Sequence, residues 1–153
     1  MPAGQKGPVT ILAKFAGIIL LVFGLLWTAI GVVIVLGGAA AKVGGNSAGI
    51  PVVGNAVGDF LAGFGIVILV IAIIEVLGGV GVILSKDWGR IIGIIYALMF
   101  GVGSVFIVLG GVSASKDVDT GSGGLVTLIV GLVFLLGYLY SLFALGVRWR
   151  GRA

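Results

Sequence analysis

Apolar residues fill four long stretches of the chain, and polar residues gather at the joints between them. The stretches run over about 15–38, 60–84, 91–112 and 125–147. Each is long enough for the roughly 20 mostly apolar residues that a helix needs to cross a bilayer core. Residues 65–74 (GIVILVIAII) show none of the polar–apolar alternation of a barrel strand, so the pattern predicts helices. A helix also satisfies its own backbone hydrogen bonds in lipid. The expected fold is all-α: a polytopic four-transmembrane-helix bundle, one membrane domain over 1–153. Ala39-Ala40-Ala41 has the small-residue character of a signal cleavage site. The preceding apolar run of about 24 residues exceeds a signal h-region of roughly 7–15, so it reads as a retained helix.

Composition narrows the function. Sixty per cent of residues are hydrophobic and 9% are charged, against roughly 25% in a soluble domain. Cysteine and histidine are absent, which removes disulfides, thiol and imidazole catalysis and the usual zinc sites. The acids are Asp59, Glu75, Asp87, Asp117 and Asp119, spread over both membrane sides and the interior. No acid–base pair is expected to assemble from them within one chain. The reading is a non-enzyme without a cofactor.

The basic residues report orientation. Lys6, Lys14, Lys86, Arg90, Arg148, Arg150 and Arg152 fall on one side, seven against Lys42 and Lys116 on the other. By the positive-inside rule both termini and the second connection face the cytoplasm of a multi-pass plasma-membrane protein. Trp88 and Trp149 sit beside Arg90 and Arg148, as in an interfacial belt. The partner is the lipid bilayer, and no basic soluble surface suggests nucleic acid. Residues 39–59 read as a flexible, glycine-rich loop, with Ile50-Pro51-Val52-Val53 able to dip into the membrane interface or pack on the helix ends. Residues 113–124 read as a solvated linker. Asp117, Asp119 and Gly121 faintly resemble the start of a calcium loop, but its closing Glu is missing.

Thirty glycines carry a finer pattern. Gly17, Gly24, Gly31 and Gly38 recur every seven residues, as do Gly58, Gly65, Ala72 and Gly79. Gly103 and Gly110 continue the spacing in the third span, and Gly124 and Gly131 in the fourth. Gly89, Gly93, Ala97 and Gly101 recur every four. Lipid supplies no hydrophobic drive between helices, so small residues let backbones approach closely. These positions are expected at helix contacts, within one chain or between chains. Shifting the sequence by 73 residues lays the first span on the third, with Ile34–Gly38 (IVLGG) identical to Ile107–Gly111. The second and fourth spans align best at 66, which pairs Gly65 with Gly131 and Glu75 with Ser141. The pattern suggests a duplicated helical hairpin.

Glu75 is the one ionisable residue inside a span. It lies about 4–5 Å past the middle of its helix, at 1.5 Å per residue. A charge there is costly. No Lys or Arg lies at that depth, so the neutral acid is the expected form. Tyr96, Tyr140 and Ser141 fall near the same level and are candidate hydrogen-bond partners. Glu75 reads either as a structural pin or as a proton or cation site. Thr28 is expected to bond the carbonyl one turn back. Trp27 lies away from the belts, where it could pack on a neighbour's glycines.

The GIILLVFG-type helix, the Lys86-Asp87-Trp88-Gly89-Arg90 turn and the IVLGG helix ends resemble small four-helix prokaryotic membrane proteins of unknown function. They are also similar in texture to the hairpin repeats of HdeD-type acid-resistance membrane proteins, which have more spans. The resemblance implies fold alone and transfers no catalytic residue. Small multidrug transporters carry their intramembrane Glu in the first helix, and claudin-like proteins need an outer Cys pair. The leading function is a non-catalytic membrane subunit, accessory to a complex or homo-oligomeric. The alternative is a small oligomeric carrier or channel using Glu75.

Overall fold

A computed structural model describes residues 9–115, 121–147 and 149. The described residues form four helices: α1 (Ile11–Ser47), α2 (Pro51–Ile83), α3 (Asp87–Ala114) and α4 (Gly121–Gly146). Each is long and apolar enough to cross a membrane. The protein is all-α. Its polarity is inverted relative to a water-soluble bundle. Large apolar side chains such as Val33, Phe60 and Phe106 point outward, while Ala13, Ala16, Ala72, Ser104 and Ser141 are buried. Such a surface suits lipid as solvent.

The first connection differs from expectation. Residues 39–59 are helical apart from a turn at 48–50. Two hydrogen bonds close α1: Ile50 N–H donates to Gly45 C=O at 2.9 Å, and Gly49 N–H to Asn46 C=O at 3.3 Å. Gly49 has φ +74°, the left-handed conformation this stop requires. Pro51 then opens α2, where its missing N–H costs nothing. The α2–α3 turn is built identically, with Lys86 N–H on Gly81 C=O and Ser85 N–H on Val82 C=O. There the left-handed residue is Ser85, at φ +61°. Ile50, Val52 and Val53 are exposed and do not pack on the helix ends.

Contacts divide the chain into two compact units, Met1–Leu21 with Leu77–Ala153, and Val22–Val76. In the first unit the start of α1, the end of α2, α3 and α4 pack as a four-helix bundle. A methyl group built on Gly93 would meet Leu20 and Leu145, and one on Gly78 would meet Ile92. Tyr96, Phe100, Tyr138 and Phe134 form a stacked aromatic column between α3 and α4, with centroids 5.7–6.2 Å apart. The second unit is an antiparallel hairpin of α1 and α2, joined near its tip by a Lys42–Asp59 ion pair.

Candidate functional site

The α1·α2 seam is built from the seven-residue repeats. A Cβ on Gly17 would lie 3.0 Å from Gly79 O, one on Gly24 3.2 Å from Ala72 O, and one on Gly31 3.3 Å from Gly65 O. One on Gly38 would lie 2.7 Å from Gly58 O. The residue numbers of each pair add to 96, so two equal periods run antiparallel in one register. At Gly38 every obstructing atom is backbone, which cannot swing aside; at Gly17, Gly24 and Gly31 the side chains of Val82, Val76 and Leu69 stand nearer still, at 2.8, 2.8 and 2.9 Å. The α3·α4 hairpin repeats these contacts. Gly38 meets Ala62 N and Gly111 meets Leu128 N; Gly65 meets Val35 N and Gly131 meets Val108 N. Each second pair follows from the first by the offsets of 73 and 66.

The remaining candidate glycines differ. Gly93 abuts the flexible ends of Leu20 and Leu145, and a Cβ on Gly101 would meet only Tyr138 Cβ, at 3.7 Å. Among the described residues, Gly37, Gly44, Gly63, Gly103 and Gly110 have nothing within 4 Å of such a Cβ.

Glu75 belongs to the second unit. It is 1% exposed. On α2 it lies roughly 80° around the helix from the Gly65–Ala72 seam, at 100° per residue. Tyr96, Tyr140 and Ser141 belong to the first unit. Tyr140 O–H donates to Leu12 C=O at 3.2 Å, tying α4 to α1. Tyr96 stacks on Phe100. Thr28, Ser104 and Thr127 each donate to the carbonyl one turn back, at 2.7–2.9 Å. Ser141 Oγ is buried and has no hydrogen-bond partner among the described residues.

A polar site in the first unit joins the α3 start to the α4 end, and the charge count alone does not reveal it. Arg90 Nε donates to Leu145 C=O at 2.8 Å, and Nη2 to Gly146 C=O at 3.3 Å. These are orphan carbonyls of the last α4 turn, where positive charge also complements the helix dipole. The guanidinium carbon lies 6.0 Å from the Trp149 ring centroid. Trp149 Nε1–H donates to Asp87 Oδ1 at 3.2 Å, and Trp149 C=O accepts from Thr10 N–H at 3.2 Å. Trp149 is therefore buried, unlike the half-exposed Trp88, and is not a lipid-facing belt residue. The signal was present in sequence as an Asp-x-x-Arg pair at one helix start and a Trp just beyond another helix end.

Among the described residues no cluster of His, Cys, Asp or Glu could hold a metal. Asp117 and Asp119, named for the faint calcium pattern, lie outside the described residues, as do Lys6, Lys116, Arg148, Arg150 and Arg152. Comparison with protein-family models, with curated proteins and with solved structures finds no match. No family is identified, and the resemblance drawn from sequence reduces to four apolar helices.

Proposed function

We propose that the chain is a non-catalytic integral membrane subunit that assembles, with copies of itself or with another membrane chain, through outward glycine-lined faces. One observation carries this reading. Gly103 and Gly110 face open space among the described residues, on the α3 face that also carries the exposed Met99 and Phe106. Gly37 and Gly44 do the same on α1. A glycine inside a helix is about 0.5–1 kcal/mol less favourable than alanine. Among the described residues nothing fills the space beside these four glycines, and close helix approach by a partner would use it. The chain has no cysteine, so Phe106→Cys gives a background-free probe. Oxidation in native membranes is expected to give a cross-linked dimer or a heterodimer. Monomer alone at every oxidant level would sink the proposal.

Burial of Glu75 favours a second reading, a small oligomeric carrier or channel in which this carboxyl holds a proton or cation. Vesicles containing the protein would then show a proton or cation flux that Glu75→Gln abolishes. Equal flux in both, or none above empty vesicles, removes this reading. In either case the seven-to-two charge bias supports a plasma-membrane orientation with both termini cytoplasmic.

A further inference from the structure

The two hairpins differ where Gly17 of one corresponds to Arg90 of the other. In α1·α2, Gly17 sits directly on the carbonyl of Gly79. The repeat-equivalent positions in α3·α4 are Arg90 and Leu145. Arg90 reaches the same carbonyl with a hydrogen bond instead of a methylene-width contact. A cleft of about 630 Å³ opens beside the arginine, lined by Asp87, Arg90, Ile91, Ile94, Val147 and Trp149.

A guanidinium has five N–H groups. Among the described residues two of them serve the α4 carbonyls. The other three are available to an anion in the cleft. Asp87 shares the cleft, and its Oδ1 accepts from Trp149. Its charge offsets part of the arginine's and disfavours a dianion. Arg148 and Arg150 flank Trp149 in sequence, so this end of the chain keeps an excess of positive charge. The balance favours a singly charged phosphodiester.

The cleft has an apolar continuation. Ile91 and Val147 are exposed at its mouth. Farther along the same α3·α4 seam lies a groove of about 170 Å³, lined by Leu98, Gly101, Val105, Leu135, Leu139 and Leu142. From Arg90 to Val105 the seam measures about 22 Å at 1.5 Å per residue. One leaflet of a bilayer core is about 15 Å thick. Gly101 keeps the groove open, because a side chain there would meet only Tyr138 Cβ.

We propose that the α3·α4 seam binds one anionic phospholipid, with its phosphodiester on Arg90 and an acyl chain in the groove beside Gly101. Basic pockets between spanning helices hold anionic head groups by the same logic. A free phosphate would use the arginine but not the groove.

Native mass spectrometry of the full chain in detergent tests this. The probes are phosphatidylglycerol and phosphatidylcholine with identical acyl chains, plus inorganic phosphate as competitor. The wild type is expected to bind phosphatidylglycerol at least tenfold tighter than phosphatidylcholine, unaffected by millimolar phosphate. Arg90→Gln should bring the two lipids to equal affinity. Gly101→Leu fills the groove, leaves Arg90 and the α4 carbonyls in place, and should weaken phosphatidylglycerol at least fivefold. Equal affinity for both lipids in the wild type overturns the proposal. So does a Gly101→Leu variant that binds like the wild type, or displacement of the lipid by phosphate.

Discussion

Gly37 and Gly38 are neighbours in α1 and meet opposite surroundings. A Cβ on Gly38 would press on Gly58 O and Ala62 N, at 2.7 and 2.8 Å, whereas one on Gly37 meets nothing. Gly38→Ala should lower stability by about 1–3 kcal/mol, the usual cost of overpacking. Gly37→Ala should raise it by up to about 1 kcal/mol through helix propensity. Reversible unfolding in mixed micelles reads both, and equal effects would contradict the seam. Ser85 offers a second case. Its left-handed φ of +61° strains an L-residue where glycine would not be strained. Ser85→Gly is expected to stabilise the α2–α3 turn by up to about 1 kcal/mol, and Ser85→Val to destabilise it.

At the scale of elements, the spans were legible because lipid demands long apolar helices and the chain supplies four. The α1·α2 seam was legible in part. The seven-residue period marked Gly17, Gly24, Gly31 and Gly38, but a period does not say which helix it meets. The antiparallel register did that, by bringing two equal repeats face to face. Apart from the turn at 48–50, residues 39–59 are helical despite their many glycines, because abundance of glycine alone does not stop a helix in a membrane span. The informative residues were Gly49 and Pro51, a helix stop and a helix start two positions apart. The duplicated hairpin can be tested directly. Gly65→Leu and Gly131→Leu each place a side chain against a backbone nitrogen of the opposing helix, at 2.9 Å from the Cβ. Both should cost about 2–3 kcal/mol. Gly63→Leu, which faces open space, should cost under about 0.5 kcal/mol. Unequal costs at Gly65 and Gly131 would mean that the two seams are not equivalent. Arg90 was read as a topology charge alone, because its role depends on where the repeat departs from Gly17.

At the scale of the whole molecule, Thr10, Lys86, Asp87, Arg90 and Trp149 gather at one end of the first unit, just before α1, at the start of α3 and just beyond α4. The membrane reading then expects the 48–50 turn on the opposite side. Single cysteines at Gly49 and Lys86 should react with an impermeant maleimide from opposite faces, Lys86→Cys from the cytoplasmic one. Labelling of both from one face would break the four-span arrangement. The candidate chemistry was less legible than the spans. Glu75 stood out by charge, but depth along a span gives a level and not a direction, so the sequence leaves Tyr96, Tyr140 and Ser141 as alternatives. Assembly through the outward glycines of α3 can be read from the native mass of the protein released directly from its membrane, for the wild type and for Gly103→Leu with Gly110→Leu. An oligomer or hetero-complex is expected for the wild type and a folded monomer for the double variant. A wild-type monomer, or an oligomer unchanged by both leucines, would contradict it.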